Sequence, residues 1–370
     1  MSRLSIFSTN GSGLCDWEEV GTLNRETAIY KKLHESGWEV SFFTYDKKPD
    51  LPDIGFSGKV VCQRPFVCSK KLDFLYQLFM PLLRFRQGRK SDVIITNQAH
   101  GGWPAIIAGY LWNAKVVARC GMVHGECSEV LNKTSNRARK KTAREKWTFK
   151  HADKCIVPTK ELALWIENNY QISHNKIEVV PNFVDVSQFK PANKSVKDYD
   201  IVCVGRLVPK KRFELLLEAL KGSNLKVLII GNGKFQDKLS KMARKYSINL
   251  STIPRIEHDD LPAYLSNAKI YVNVSEWEGH PKALIEAMAC GCACLGAKAP
   301  GIKNLLLDNQ TGVLVEPDAE QIRNKIERLL ADENLRERLG GSARDYAIKH
   351  FSLDTVFLKY KQLFDEVLKQ

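Results

Sequence analysis

The sequence predicts an α/β protein with two domains, each built around a parallel sheet. Short apolar runs alternate with segments of helical periodicity along most of the chain, which is the pattern of β-α-β units. The chain has 370 residues, of which 44% are hydrophobic and 26% are charged. This length and composition are sufficient for two ordinary hydrophobic cores.

The first half begins with a strand, RLSIFST, which runs into a glycine loop. A helix is predicted from about Glu19 to Glu35, with Gly37 as its end signal. GGWPAIIAGYLW is predicted to form a packed helix. Further strands are predicted for the apolar runs WEVSFFTYD, DVIITN, AKVVARC, DKCIVP and IEVVP.

A connector, PNFVDVSQFKPANKSVKDYD, separates the two halves, because it combines two prolines with polar residues after a strand. We therefore predict an N-terminal domain over 1–187 and a C-terminal domain over 188–351. The final amphipathic segment, 352–370, forms a helix that can pack back on the first domain. In the second half, DIVCVG, LKVLIIG, KIYVNVS and CACLGA are predicted strands, and FELLLEAL and PKALIEAMAC are predicted helices.

Composition excludes several classes of protein. No stretch approaches the roughly 18 to 20 uninterrupted apolar residues of a spanning helix, so we expect a cytoplasmic protein. The run Cys290, Cys292 and Cys294 has no partner pattern typical of zinc, so neither a metal nor a cofactor is predicted. The formal net charge of +14 favours anionic partners. No nucleic-acid recognition motif accompanies this charge, and nucleic acid is not an expected partner.

The segment SEWEGHPKALIEAMACG could bind an anion and a sugar at the start of a helix. Pro281 suits the first helical position, and the first backbone N–H groups of a helix attract anions. Glu278 precedes the helix, and Glu286 lies inside it, where a carboxylate can accept from two ribose hydroxyls. The alternative is two solvent-exposed acids near a helix start. The candidate binding residues here are Gly279, His280, Pro281, Lys282, Ala283, Leu284 and Glu286.

Two more segments follow predicted strands. In VGRLVPKKRFELLLEAL, a strand ends at Gly205, and Arg206 and Lys211 lie where a diphosphate would bind in an open α/β sheet. A solvated basic turn is the alternative. In IIGNGKFQDKL, Gly231 and Gly233 permit close backbone approach, although this signal is weak alone.

These segments, in this order, resemble the retaining glycosyltransferases of family 4, which have the GT-B fold of two facing Rossmann-like domains with an interdomain cleft. The resemblance also rests on PNFVD at residues 181–185, on GRLxxxK from Gly205 to Lys211, and on the E-x7-E pair Glu278 and Glu286. Pro300 and Gly301 match part of a downstream loop. The chain departs from the family pattern at Phe183, Arg212, His280 and Asn304.

The resemblance implies retaining transfer of a hexose-type sugar from a UDP- or GDP-sugar to a glycan or a lipid-linked glycan. It implies that Arg206 and Lys211 stabilise the leaving diphosphate without a metal, that Glu278 lies near the donor sugar, and that Glu286 binds the ribose. The family often supplies a histidine after a middle strand of the first domain, and His124 in VVARCGMVHGE is the candidate.

On the acceptor side, the resemblance points to the loops after the N-terminal strands. The candidate residues there are Asn10, Gly11, Ser12, Gly13, Asn97 and Arg119. LDFLYQLFMPLLRFRQGRK and RARKKTAREKWTFK mix apolar and basic residues, a pattern that fits peripheral association with an anionic membrane or, equally, a packed helix with a solvated basic face. A catalytically inactive nucleotide-sugar-binding or scaffold protein on the same fold is the alternative function, supported by Asn304 in place of a glutamate.

Overall fold

A computed structural model describes residues 1–9, 12–46, 51–62, 70–132, 134–192 and 197–369. The chain folds into two compact units. Unit 1 comprises Met1–Pro181 and Phe357–Gln370, and unit 2 comprises Asn182–Val356. The division falls at 181/182 rather than at the expected 187/188, because Val184 and Phe189 are buried in the core of unit 2. The N–H of Val184 also donates to the carbonyl of Phe351 in the same unit.

Unit 1 contains a seven-stranded parallel sheet with the order β3-β2-β1-β4-β5-β6-β7. Its strands are β1 (Arg3–Phe7), β2 (Glu39–Thr44), β3 (Lys59–Cys62), β4 (Val93–Thr96), β5 (Lys115–Arg119), β6 (Lys154–Val157) and β7 (Ile177–Val179). Its helices are α1 (Leu14–Glu19), α2 (Leu23–Glu35), α3 (Lys70–Leu83), α4 (Phe85–Gly88), α5 (Trp103–Trp112), α6 (His124–Val130), α7 (Asn136–His151) and α8 (Lys160–Tyr170).

The core of unit 1 follows from the strand sequences. All four residues of β4 are buried, as expected for a central parallel strand covered on both faces. The Phe7 and Phe43 rings stack at 5.1 Å between centroids, and both pack against Trp112 of α5. The sheet order reverses between β1 and β4, so the loops that follow these two strands lie side by side at one edge.

Unit 2 contains a six-stranded parallel sheet with the order β10-β9-β8-β11-β12-β13. Its strands are β8 (Tyr199–Val204), β9 (Lys226–Ile230), β10 (Asn249–Ile253), β11 (Ala268–Asn273), β12 (Ala293–Ala297) and β13 (Val313–Val315). Its helices are α9 (Phe213–Ala219), α10 (Gln236–Lys245), α11 (Leu261–Ser266), α12 (Lys282–Ala289), α13 (Ala319–Ala331) and α14 (Glu333–Phe351). The last helix, α15 (Leu353–Val367), begins in unit 2, and its residues from Phe357 onward belong to unit 1.

The fold class is confirmed: both units carry parallel sheets with intervening helices, and all ten predicted apolar runs are strands. The helix expected from about Glu19 to Glu35 ends at Glu35 as predicted, but it begins only at Leu23, and a separate short helix precedes it. The chain instead forms α1 and α2, which are separated by a turn at Gly21, whose φ of +68° favours glycine. Within the described ranges, no helix combines the length and the apolarity that crossing a bilayer requires.

Candidate functional site

The candidate site of unit 2 lies at the carboxyl edge of its sheet, where the strand order reverses between β8 and β11. Ligands of open α/β sheets bind at such a switch point, since the loops there diverge. The loops after β8 and β9 are joined by the N–H of Leu207, which donates to the carbonyl of Asn232 at 2.8 Å. The N–H of Glu276, after β11, donates to the carbonyl of Lys210 at 2.8 Å. Three predicted segments therefore form one site.

Lys211 and Glu278 form an ion pair at the centre of this site. The Nζ of Lys211 lies 2.5 Å from Oε1 of Glu278, and the Nζ of Lys210 lies 3.8 Å from Oε2. Both members of the central pair are largely shielded, with 14% and 11% of their side chains exposed. Burial raises the pKa of Glu278, but the ammonium groups of Lys211 and Lys210 outweigh this effect and hold the pKa below its ordinary value. Glu278 is therefore a carboxylate that positions Lys211.

Arg206 is exposed directly after β8. Its guanidinium makes no ion pair or side-chain hydrogen bond within the described part of the chain, in contrast to Lys211. The backbone beside it is closely packed, since a Cβ on Gly231 would lie 2.1 Å from the carbonyl oxygen of Gly205, and one on Gly233 would lie 2.4 Å from that of Leu207. The two glycines of the G-x-G segment are thus required by the packing of the β8 and β9 loops.

Arg212, a departure from the family pattern, has a φ of +49° and caps α9 in the left-handed region. Glycine is favoured in this conformation, so Arg212 adopts the left-handed backbone geometry that a glycine at this position would adopt. The guanidinium of Arg212 donates to Glu276 at 2.8 Å. This ion pair links the loop after β8 to the loop after β11.

Glu286 is buried in the second turn of α12, with 1% of the residue exposed. Its Oε1 lies 2.9 Å from Nε2 of His258, which stands in a 3₁₀ turn at His258–Asp260. The ring of His258 also packs on Phe189 at 4.9 Å. Sequence reasoning missed His258, because 28 residues separate it from Glu286 and only the fold brings them together.

The start of α12 differs from the prediction by one residue: Pro281 precedes the helix, which begins at Lys282. His280 is buried, and its Nδ1 accepts a hydrogen bond from the N–H of Asn182 at 3.3 Å. Burial and then the nearby charge of Lys282 lower the pKa of His280 to about 3, so the ring is neutral. Leu284 is fully buried in the core. Gly279 packs against the Pro300–Gly301 loop, since a Cβ on Gly301 would lie 2.9 Å from the carbonyl oxygen of Gly279.

In unit 1, His124 is the first residue of α6, and its backbone N–H donates to the buried carboxylate of Glu145 at 2.9 Å. The N–H of Gly125 and the hydroxyl of Tyr170 also donate to Glu145. The ring of His124 meets that of His100 edge-on at 4.4 Å. The N-terminal end of α6 is therefore occupied by a carboxylate of the chain itself.

The remaining acceptor-side candidates have different surroundings, and Asn10 and Gly11 lie outside the described residues. The side-chain amide of Asn97 donates to Oγ of Ser12 at 3.2 Å, so these two are neighbours. Gly13 caps α1, and a Cβ there would lie 2.4 Å from Asp46. The Nε of Arg119 donates to the hydroxyl of Tyr360 at 2.9 Å.

Two parallel-sheet units of this kind match the structures of GT-B glycosyltransferases. Sucrose-phosphate synthase from Thermosynechococcus elongatus superimposes with a TM-score of 0.82 at 21% identity, covering 100% of both chains. A protein from Anabaena, Alr3699/HepE in complex with UDP and glucose, superimposes with a TM-score of 0.77 at 15% identity, covering 99% of this chain and 100% of that one. At these identities, the likeness concerns the fold alone.

Two family models match consecutive parts of the chain. Residues 27–188 match "Glycosyltransferase Family 4", and residues 185–346 match "Glycosyl transferases group 1". N-acetyl-alpha-D-glucosaminyl L-malate synthase from Bacillus anthracis is 23% identical over 365 residues, which span 93% of each protein. The chain belongs to the group 1, family 4 glycosyltransferases, and it is a transferase enzyme of glycan biosynthesis.

Proposed function

We propose that this enzyme transfers a hexose-type sugar from a UDP- or GDP-sugar to a glycan or lipid-linked glycan, with retention of the anomeric configuration. The observation that carries the proposal is the group formed by Arg206, Lys211, Glu278 and Glu286 at one edge of a single sheet. The Anabaena protein with the same fold binds UDP and glucose. Because relatives differ in their acceptors, membership of the family does not specify this one.

The cations support departure of a nucleoside diphosphate. When the bond between the sugar and the diphosphate breaks, negative charge builds on the leaving phosphate. Arg206 is exposed and unpaired in the described structure, so it is available to two phosphate oxygens at once. Lys211 is held in place by Glu278 and therefore needs little reorganisation. In this proposal, the leaving phosphate accepts the proton of the attacking acceptor hydroxyl, which then forms the new glycosidic bond.

The carboxylates support recognition of the sugar and the ribose. The ring of His258 contacts Oε1 of Glu286 and thereby fixes the orientation of the carboxyl group at the edge of the site. A carboxylate fixed in this way can accept from two adjacent ribose hydroxyls. Glu278, ionised beside Lys211, is assigned in this proposal to the donor sugar, because Lys211 is assigned to the adjoining diphosphate.

Release of nucleoside diphosphate from UDP- and GDP-sugars tests the proposal. We expect Lys211→Ala and Glu286→Gln each to lower kcat/KM by about 100-fold or more, as for groups that stabilise developing charge or position substrate. Lys269→Ala is the matched control, because Lys269 is also ion-paired but lies at the opposite end of the same sheet. Folded enzyme that binds none of these donors would refute the proposal.

Retention and independence from metal are separate parts of the proposal. Proton NMR of the first product should show the anomeric configuration of the donor, and an inverted product would contradict retention. Since side-chain cations can neutralise the diphosphate, we expect the rate to be unchanged in EDTA. A loss of rate that is restored by Mg²⁺ would refute this part.

Peripheral association with an anionic membrane is also proposed, on the exposed end of α3. Phe79, Leu82 and Leu83 are 53%, 61% and 60% exposed, whereas the adjacent Met80 is buried. Arg86 and Arg89, both exposed, follow immediately. Apolar side chains flanked by cations favour the headgroup region of an anionic bilayer.

Sedimentation with vesicles tests this association. Wild type should bind vesicles of phosphatidylglycerol more than vesicles of phosphatidylcholine, and Leu82→Ser with Leu83→Ser should reduce the bound fraction. Leu358→Ser is the control, since this leucine is 62% exposed on α15. Equal binding by all variants would exclude α3.

We place the protein on the cytoplasmic side, because the eight cysteines with described side chains are all buried free thiols, which suits a reducing compartment.

A further inference from the structure

A cavity of about 550 Å³ lies within unit 1 at the switch point of its sheet. Its floor includes Thr9, which follows β1, and His100, which stands in the 3₁₀ turn Ala99–Gly101 after β4. Strands β1 and β4 are neighbours at which the strand order reverses. Gln77 of α3 and the N-terminal half of α7 form the walls. The size and the position are those of a ligand site.

One wall of this cavity is a row of cations on α7. Arg137, Lys140, Lys141 and Arg144 all line the cavity, and their spacing of i, i+3, i+4 and i+7 places them on one face of the helix. Arg137, Lys140 and Arg144 form no ion pair within the described ranges. The first turn of α7 contains no acidic residue, so the positive end of the helix dipole adds to this charge. Three of the four cations are therefore without a carboxylate partner in the part of the chain that the structure describes.

Two other helix starts in unit 1 are occupied by carboxylates of the chain itself. The N–H groups of Leu14 and Cys15, at the start of α1, donate to Asp46 at 2.9 and 3.2 Å. The start of α6 is satisfied by Glu145, as described above. The cations on α7, by contrast, line an open cavity.

The floor of the cavity has a different chemistry from its wall. Burial, followed by the neighbouring charges of His124, Lys141 and Arg144, lowers the pKa of His100 to about 3, so its ring is neutral. The Nδ1 of His100 has no hydrogen-bond partner among the residues described. The neutral ring adds no charge to the cavity, whereas the cations of α7 suit a doubly charged group. The ligand should thus carry an anionic end.

We propose that this cavity binds a phosphate or diphosphate group of the acceptor, held by Arg137, Lys140 and Arg144 of α7. The inference rests on the proposed function and narrows its acceptor to a phosphate-bearing molecule. Because Gln77 of the cavity precedes the exposed Leu78 and Phe79 of α3, a lipid diphosphate would have its chain beside the apolar surface. A soluble phosphate would use the cavity alone.

Calorimetric titration of the full chain tests this proposal. UDP is present at saturation, so that the site in unit 2 is occupied, and the probes are farnesyl diphosphate and inorganic pyrophosphate. We expect at least one probe to bind, and Lys140→Gln with Arg144→Gln to weaken its Kd by tenfold or more. Arg139→Gln with Lys150→Gln is the control, since both residues are exposed on α7 and lie outside the cavity.

The outcomes separate the two proposals. Preference for farnesyl diphosphate indicates a lipid-linked source, and equal binding of both probes indicates recognition of the phosphates alone; either result supports the cavity. The inference is overturned if neither probe binds, or if the cavity variant binds as tightly as the control variant. UDP binding that is lost in Lys211→Ala would in that case still support the donor site, so failure of the cavity would be distinguishable from failure of the proposed function.

Discussion

The ion pair between Lys211 and Glu278 should contribute a measurable amount to the free energy of unfolding of unit 2. Removing one partner of a buried ion pair costs about 3 to 5 kcal/mol. Here both side chains retain slight exposure, and Lys210 remains 3.8 Å from the carboxylate after Lys211 is removed. We therefore expect Lys211→Met to lower the free energy of unfolding of unit 2 by about 2 kcal/mol. The double variant Lys211→Met with Glu278→Gln should cost less than the sum of the single variants by about 1.5 kcal/mol.

Amide hydrogen exchange in peptides from β8 and β11 measures this effect in unit 2 alone. A loss of 2 kcal/mol corresponds to roughly 30-fold faster exchange. Lys269→Met is the control, because its ion pair with Asp200 is 40% exposed at the lysine and should contribute less than about 1 kcal/mol.

The coupling should also depend on pH in a defined direction. Because the folded-state pKa of Glu278 is depressed, the stabilisation is present above the ordinary glutamate pKa of about 4.3 and is lost as the pH falls through the lower folded value. A coupling energy near zero at pH 7, or one that grows on acidification, would refute the assignment of Glu278 as the partner that positions Lys211.

Three further predictions concern particular residues of unit 2. Gly231→Ala should destabilise the unit by about 2 kcal/mol more than Gly222→Ala in urea denaturation, because both glycines have positive φ but only Gly231 would direct a Cβ into backbone; equal costs would contradict the packing argument. His258→Leu should weaken UDP binding by about tenfold, as expected for loss of a group that orients a ligand-binding carboxylate. His258→Gln should restore most of the affinity, since the glutamine amide can donate to Glu286. An unchanged affinity of His258→Leu in calorimetry would show that His258 does not orient Glu286 for UDP binding. His280 has a folded-state pKa of about 3, so the unfolded state takes up its proton first and stability falls as the pH drops below about 6.5. His280→Asn should therefore reduce the loss of stability between pH 6 and pH 4.5 by about 2 kcal/mol, and an unaltered pH profile in urea denaturation would show that the ring is already charged.

The strands that were predicted from the sequence and those that were missed differ in burial, in position within the sheet and in length. β8 and β9 are apolar runs because a central parallel strand is buried on both faces. β3, β10 and β13 were missed: β3 and β10 lie at sheet edges, where fewer neighbours require apolar side chains, and β13 is only three residues long. The break between α1 and α2 was missed because Gly21 is a weak signal inside a helical pattern.

The residues of the candidate site also fall into two groups, those that the sequence could propose and those that only the fold brings together. Arg206, Lys211, Glu278 and Glu286 could be proposed from the sequence, since each stands at a recognisable distance from a strand end or a helix start. Their partners could not be proposed in the same way. His258 reaches Glu286 across 28 residues, and the row of cations on α7 becomes a cavity wall only when the turn after β4 packs against it.

The sequence by itself determined the parallel α/β class, the family, and the charged residues at the ends of the central strands, because hydrophobic periodicity and local spacing are properties of neighbouring residues. Only the tertiary structure decided which charges neutralise one another. Lys211 is paired with Glu278, whereas Arg206 of unit 2 and Arg137, Lys140 and Arg144 of α7 have no carboxylate partner in the described structure. Coulomb interactions depend on distance through space and on burial, and neither quantity can be read from separation along the chain.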